Sequence, residues 1–164
     1  MTSIERFAHH AIEENNKEVA YLIASLKNEN TPSISNRIEE ETNLEVFDSW
    51  FSPGPRADDW WKTYETARGR TYEQALKGYA ATHIFEFDHY HIERANIGIL
   101  LLPSGKSAHL ELGYMIGKGK RCYILMDKPD RWDVMNIFVT LNGGKICFSI
   151  KHLIEELKKG HNEL

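Results

Sequence analysis

The stretch of residues 95–127 constrains the fold of this chain more than any other. Residues 97–102 form an apolar run whose length and branching suit a strand buried on both faces of a parallel sheet. After a Pro-Ser-Gly turn, apolar and small residues recur at helical spacing from Lys106, until a basic, glycine-rich segment ends the predicted helix near residue 117. A second apolar run follows at residues 122–126. This order predicts one right-handed strand–helix–strand crossover.

The rest of the chain repeats this alternation. Further buried strands are predicted at residues 19–24, 44–47 and 145–148, and helices at residues 31–43, 72–81, 133–138 and 149–157. Because strands alternate with helices, the predicted fold class is α/β: a doubly wound, five-stranded parallel sheet of the flavodoxin or Rossmann type. A length of 164 residues is enough for a single domain, 1–164, with a substantial core.

Two segments lie outside the alternation. Residues 1–17 place apolar side chains at helical spacing and predict an N-terminal helical extension. Residues 48–72 hold three of the four tryptophans together with two prolines and two glycines, which favours an ordered, irregular loop over the active face. Within it, Trp50 and Trp61 are suited to stack on a planar ring. The alternative is that these aromatic side chains pack into a small core beneath the loop.

Charge and composition exclude several classes of partner. A net charge of -4 and a pI near 6.1 provide no electrostatic footprint for a nucleic acid polymer. No apolar stretch reaches membrane-spanning length, and the N-terminus lacks the apolar core of a signal peptide. Cys122 and Cys147 both lie in apolar runs and are expected to be core thiols. We therefore expect a soluble, cytoplasmic protein that acts on a small molecule.

Two acidic residues are the main candidates for chemistry. Open α/β sheets bind ligands beyond the carboxyl ends of their strands, where Glu111 follows Ser107 by one helical turn. A carboxylate near a helix start is held ionised by the helix dipole, and an ionised carboxylate suits a nucleophile. The alternative is that Glu111 only stabilises the first helical turn. Asp88 interrupts an apolar segment, where an acidic group is expected to be paired or functional.

The string Gly105-Lys106-Ser107 invites comparison with a phosphate-binding loop. It fails that motif because Leu100 stands where the first glycine is needed, and no Gly-x-Gly-x-x-Gly follows a predicted strand. A glycine turn with hydroxyls and a lysine at a helix N-terminus is still suited to an anion such as a 5′-phosphate. Ser104 and Ser107 lie in no nucleophile elbow, so a Ser-His-Asp hydrolase is disfavoured.

A metal site is an alternative for this part of the chain. His89 and His91 accompany Asp88, and such residues can ligate zinc. Positions two apart on a helix face away from each other, however, so no metal and no other cofactor is expected.

The segment LPSGKSAHLELGYMIGKGK resembles the signature of the nucleoside 2-deoxyribosyltransferase family, in its broad, partly phage-borne branch, and the resemblance extends from Tyr21 to about Phe138. It implies that Glu111 attacks the anomeric carbon of a deoxynucleoside and holds the sugar as a covalent ester. It also implies that Asp88 protonates and binds the base. By the same resemblance Tyr21 orients the nucleophile or lines the base pocket, and Asn136 contacts the sugar.

The chain departs from the family pattern at one position. Classical members have an aspartate six residues before the nucleophile, where this chain has Gly105. Relatives that act on nucleoside monophosphates carry uncharged, hydroxyl-bearing groups in this loop, which fits Ser104 and Ser107. Together with Lys106 beside them, this implies a 5′-phosphorylated substrate. Family members also complete their sites with a neighbouring subunit, which implies a homo-oligomer, although the tail HNEL has no clear match.

The expected function is therefore cleavage of the N-glycosidic bond of a 2′-deoxynucleoside or its 5′-monophosphate. The sugar would pass to another nucleobase or to water. A competing hypothesis of another class is a non-catalytic module that binds or senses a nucleotide. A metal-dependent hydrolase using His89, His91 and Asp88 is a third.

Overall fold

The structure is a computed structural model that describes residues 17–129 and 131–161. A parallel sheet lies at its centre in the order β2-β1-β3-β4-β5. Its strands are β1 (Val19–Ile23), β2 (Glu45–Phe47), β3 (Ile97–Leu101), β4 (Arg121–Leu125) and β5 (Lys145–Cys147). Every residue of β1 and β3 is buried, as expected for the centre of a sheet that is covered on both faces. The predicted α/β class and the five-stranded parallel sheet are confirmed.

Helices cover both faces of the sheet. They are α1 (Thr31–Glu41), α2 (Ala57–Ala67), α3 (Tyr72–Leu76), α4 (Tyr79–Arg94), α5 (Lys106–Gly117), α6 (Ile137–Leu141) and α7 (Ile150–His161), with 3-10 turns at Ser49–Phe51 and Val134–Asn136. Helices α1 and α7 bury Ile38 and Leu153 in a core on one face. Helices α4, α5 and α6 bury Ile92, Met115 and Val139 on the other. The two layers leave the carboxyl ends of the strands to form the site.

The central crossover agrees closely with its sequence pattern. The helix after β3 runs from Lys106 to Gly117 as predicted, and Ser149 accepts a hydrogen bond from the backbone N–H of His152 at the start of α7. Cys122 and Cys147 are buried free thiols whose burial raises the pKa of each to about 11. The predicted N-terminal helical extension covers residues 1–17, and all of these except Lys17 lie outside the described residues.

Residues 48–72 are more regular than predicted. They contain the whole of α2, and the capping box between Thr71 and Gln74 starts α3. Glu65, buried on α2, forms an ion pair of 2.8 Å with Arg70 that fastens the end of α2 to the start of α3. The sequence pattern did not indicate a helix here because the segment is rich in tryptophan and proline. In addition, α2 exposes aromatic side chains such as Trp60, which is 57% accessible, so its apolar residues do not mark one buried face.

The predicted helix over residues 72–81 is also wrong. It ends at Leu76, and a new helix, α4, begins at Tyr79 and continues to Arg94. Gly78 separates them in an extended conformation. Tyr79, the first residue of α4, is 94% exposed. Among the described residues, no helix combines the length and apolar character needed to cross a membrane.

Candidate active site

The site lies where the winding of the sheet reverses. Strand β1 leads to α1 on one face while its neighbour β3 leads to α5 on the other, so a crevice opens between their carboxyl ends. A cavity of about 650 Å³ occupies it. Its walls come from residues 24–27 after β1, the turn and first half of α5, one face of α4, and parts of residues 50–61.

Glu111 lines this cavity from the second turn of α5 and is half-buried. Burial, and then the neighbouring charge of Asp88, raises the pKa of Glu111 to about 7. This corrects the expectation that the helix dipole holds Glu111 ionised. The dipole acts mainly within the first turn, whereas loss of solvent disfavours the charged carboxylate wherever it is buried.

Asp88 lines the same cavity from α4. Ala81, Ile84 and Asp88 are spaced three and four residues apart, so they share one face of that helix, and all three contribute to the cavity wall. Burial raises the pKa of Asp88 to about 6. Two carboxyl groups on different helices therefore face one cavity, and both are able to carry a proton near neutral pH.

Tyr21 lies beneath the two carboxyl groups. It is 1% exposed on β1, and its ring stacks on Phe47 with 5.3 Å between the ring centroids. Burial and the charges of Glu111 and Asp88 all raise its pKa, so its hydroxyl stays protonated. The structure thus brings together the three residues that the sequence assigned to catalysis, from three separate elements.

The turn before α5 forms one end of the cavity. Gly105 is the N-cap residue of α5, and its carbonyl oxygen lies 2.7 Å from Nδ1 of His109 in the following turn. Lys106 and Ser107 are exposed at the cavity wall, and Ser104 places its hydroxyl in a buried position with no hydrogen-bond partner among the described residues. A side chain at position 105 would meet open space, so the region has room for an anion above the helix N-terminus.

The two predicted stacking residues lie in the cavity wall with different environments. Trp50 packs against the core, and its indole N–H donates a 2.7 Å hydrogen bond to the carbonyl oxygen of Leu22. Trp61 comes from α2, and its buried indole N–H has no partner among the described residues. Its ring makes an edge contact with Tyr72 at 6.4 Å between centroids. Trp50 is thus at once packed against the core and part of the cavity wall.

Asn136 does not join the site. It ends the 3-10 turn after β4 and is absent from the walls of the cavity. The expectation that Asn136 contacts the sugar came from the family resemblance. In the structure its side chain is half-buried at the end of this turn.

The two histidines considered for a metal lie apart from each other. His91 stacks on Phe47 at 3.7 Å, and its Nδ1 accepts a hydrogen bond from Arg94. His89 instead lies 3.1 Å from the hydroxyl of Tyr114 on α5. The described part of the chain contains no cluster of three metal-ligating side chains.

Several wall residues were missed from the sequence. Ser25 and Lys27 follow β1, and the carboxyl-end rule that singled out the turn after β3 would have found them. Asp58 and Asp59 lie in the first turn of α2, where two acidic residues also stabilise the helix start. They were missed because this helix was predicted to be a loop.

Comparison with known proteins supports the architecture. No protein-family model matches this chain, and no curated protein matches its sequence. A conserved protein from Enterococcus faecalis V583 superposes with a TM-score of 0.59 at 12% identity, covering 88% of this chain and 99% of the other. The Clostridium botulinum CMP N-glycosidase BcmB superposes with a TM-score of 0.52 at 13% identity, covering 85% and 98% respectively. At these identities the likeness shows a shared fold.

Proposed function

We propose that this chain cleaves the N-glycosidic bond of a 2′-deoxynucleoside or, preferably, of its 5′-monophosphate through a covalent intermediate on Glu111. The observation that carries this proposal is the pair of half-buried carboxyl groups, Glu111 and Asp88, that face one cavity with pKa values near 7 and 6. Glycosidic cleavage with a covalent intermediate needs one carboxylate to trap the sugar and one carboxylic acid to protonate the leaving group. A protein of the same fold is named as a CMP N-glycosidase, which supports this class of bond.

The walls of the cavity suggest how the substrate lies. The helix N-terminus at Ser104, Lys106 and Ser107 suits the 5′-phosphate. The apolar wall with Trp61 and Ile84 suits the planar base. Glu111 follows Ser107 by one helical turn, about 5.4 Å along the helix axis, and so lies beyond the phosphate end of the cavity. The sugar then lies in front of Glu111 and the base in front of Asp88.

The protonation states follow from the coupling of the two acids. Because each charge opposes the other in a shared, partly desolvated site, the pair retains one proton between its two ionisations. Asp88 ionises first in the free chain, since its pKa is the lower. A base that accepts a hydrogen bond from Asp88 favours the state in which Asp88 carries the proton and Glu111 is ionised. Substrate binding therefore moves the proton from Glu111 to Asp88.

The reaction then proceeds in two steps. An oxygen of Glu111 forms a bond to the anomeric carbon while the bond from that carbon to the base nitrogen breaks, and the departing nitrogen takes the proton of Asp88. In the second step Asp88 removes a proton from water or from an acceptor base. The resulting oxygen or nitrogen attacks the anomeric carbon, and the ester to Glu111 breaks. Two displacements retain the configuration of the sugar.

The proposal is tested by incubating the protein with deoxynucleosides and their 5′-monophosphates, with and without an acceptor base, and separating the products by chromatography. Released base identifies hydrolysis, and a new nucleoside identifies transfer. Tight binding of a nucleotide without any product would instead support the sensing module. A complete loss of activity on chelation would support the metal-dependent alternative.

The phosphate end of the cavity has its own prediction. Lys106→Met is expected to raise KM for a deoxynucleoside 5′-monophosphate about tenfold, because a charge-assisted hydrogen bond is worth about 1.5 to 3 kcal/mol. KM for the corresponding deoxynucleoside should change little. Lys62→Met, on α2 and outside the cavity walls, is the control. Equal effects of Lys106→Met on both substrates would contradict a phosphate at this position.

We further propose that the chain forms a homo-oligomer. Phe85 on α4 and Leu110 on α5 are 65% and 75% exposed. His89 stacks on Phe85 and lies 3.1 Å from the hydroxyl of Tyr114, which follows Leu110 by one helical turn. Exposed apolar side chains on two neighbouring helices favour a protein partner. Light scattering coupled to size-exclusion chromatography should show an oligomer that Leu110→Glu dissociates. A monomeric wild type at micromolar concentration would contradict this.

A further inference from the structure

A polar cluster joins the two helices that carry the paired acids. It consists of His89 and Glu93 on α4 and Tyr114 and Lys118 on α5, and we call it the interhelical cluster. The Tyr114 hydroxyl donates a hydrogen bond to the Glu93 carboxylate, and Nε2 of His89 lies 3.1 Å from the same hydroxyl. The Lys118 ammonium lies 3.4 Å from Glu93. The Tyr114 hydroxyl is therefore the point at which side chains of both helices meet.

The cluster lies next to both carboxyl groups along the chain. His89 directly follows Asp88, and Tyr114 follows Glu111 by one helical turn. Neither His89 nor Tyr114 lines the cavity. The cluster thus contacts the elements that hold the two acids without contacting the space in which a substrate would bind.

A second contact holds the carboxyl end of α4. The Lys120 ammonium donates hydrogen bonds to the carbonyl oxygens of Ile92, Glu93 and Ala95 at 2.6 to 2.7 Å. These carbonyls are the ones that a helix leaves unpaired at its end. Lys120 anchors α4 at its last turn, and the interhelical cluster is the next link towards Asp88.

The charges in the cluster keep this link in place near neutral pH. The hydrogen bond from Tyr114 and the Lys118 ammonium lower the pKa of Glu93, so Glu93 stays ionised and accepts. Glu93 in turn raises the pKa of Tyr114, so the hydroxyl keeps the proton that it donates. Although both residues are solvent-accessible, their protonation states, and with them the hydrogen bond that joins them, are the same on either side of pH 7.

We propose that the interhelical cluster is a positioning device that sets the separation of the Asp88 and Glu111 side chains across the cavity. The effect of this device on turnover rests on the proposed function, whereas its effect on the geometry of the unliganded protein is independent of that function. If the link is lost, α4 and α5 are free to move apart, and each carboxyl group experiences less of the other's charge.

Other polar or charged groups face the pair and stay unchanged when the cluster is broken. They are the Tyr21 hydroxyl from β1, Lys27 after β1, Asp58 and Asp59 on α2, and Lys106 at the start of α5. Glu93 is not among the groups that shift the pKa of Glu111 or Asp88. Burial is the largest cause of the raised pKa of Glu111, and the charge of Asp88 is the second. A change in the titration of Glu111 on disrupting the cluster therefore reports a movement of α5 relative to α4.

The experiment compares Tyr114→Phe and Glu93→Ala, which break the link, with Glu93→Gln, which keeps an oxygen acceptor for the Tyr114 hydroxyl. Tyr79→Phe removes a tyrosine hydroxyl in the same way, on α4 at a residue that is 94% exposed, and is the control. Carbon-13 NMR of the side-chain carboxyl groups follows the titration of Glu111 and Asp88 in the free protein. The signals are assigned with Glu111→Gln and Asp88→Asn.

We expect the midpoint of Glu111 to fall by about half a pH unit in Tyr114→Phe and Glu93→Ala, because Glu111 becomes less buried and the like charge of Asp88 is further away. It should stay at the wild-type value in Glu93→Gln and Tyr79→Phe. The first two variants should also lose about tenfold in kcat, with a smaller change in KM, since a small misplacement of a catalytic group lowers the rate without removing a substrate contact.

Titration midpoints of Tyr114→Phe and Glu93→Ala that match Tyr79→Phe overturn the proposal, whatever the activity. If wild type turns over no nucleoside or nucleotide but the midpoints shift as expected, the positioning role stands and the proposed function fails. Unfolding midpoints of all four variants, measured by circular dichroism, separate a change in geometry from a general loss of stability.

Discussion

Glu111→Gln is expected to lower kcat by at least about 10⁴-fold while substrate affinity changes only a few fold. An amide cannot form the ester that would hold the sugar, and removing a nucleophile commonly costs a factor of this size. In wild type, rapid quenching followed by intact-mass measurement should show a sugar or sugar-phosphate adduct. Glu111→Gln should show none.

Glu86→Gln is a matched control because Glu86 is exposed on α4 and lies outside the cavity walls. It should retain both the adduct and the wild-type rate. If Glu111→Gln forms product at the wild-type rate, Glu111 has no covalent role. If neither wild type nor the control ever shows an adduct, water attacks the sugar directly.

Glu111→Gln should also stabilise the fold at alkaline pH. The pKa of Glu111 rises from its ordinary 4.5 to about 7 on folding, so the folded chain binds the proton more tightly than the unfolded chain does. The stability that this tighter proton binding contributes to the fold is fully present below about pH 4.5 and is lost as pH rises through about 7. The shift corresponds to about 3 kcal/mol. We expect Glu111→Gln to gain stability over wild type at pH 8 and little at pH 4, as measured by denaturant unfolding.

Asp88→Asn is expected to lower kcat by about 10² to 10⁴-fold, because the departing base loses its source of a proton. The deficit should nearly disappear with 7-methyl-2′-deoxyguanosine or its 5′-monophosphate. The base of that substrate already carries a positive charge and leaves without protonation. Comparing the two substrates in single-turnover experiments measures this difference.

The pH profile provides the second measurement on Asp88. The pair must hold one proton, so kcat/KM in wild type should be bell-shaped, with apparent pKa values near 6 and 7 that belong to the pair. In Asp88→Asn only the ionisation of Glu111 is left. Activity should then rise with pH to a plateau, with a midpoint below 7 because the charge of Asp88 is gone. An unchanged bell-shaped pH profile of kcat/KM in Asp88→Asn would rule out Asp88 as the proton donor.

Local patterns in the sequence determined most of the architecture. The apolar runs of β1, β3 and β4 predicted strands within one residue at each end, and the turn and glycine stop around α5 predicted its bounds. Periodicity is informative there because those elements bury a regular set of side chains. It failed at α2, whose aromatic side chains are largely exposed, and at Gly78, where a short break divides one apolar pattern between two helices.

The candidate site shows the same division between local pattern and tertiary structure. Glu111 was identifiable from a motif and Asp88 as an acid in an apolar segment, whereas Tyr21 and Asn136 came only from the family resemblance, and Asn136 does not line the cavity. Only the tertiary structure decided that three separate elements meet at one crevice and that Glu111 is protonated more readily than its position on a helix suggests. Sequence determines which side chains avoid water locally. Desolvation and the charge of a neighbour from another helix arise only when the chain has folded.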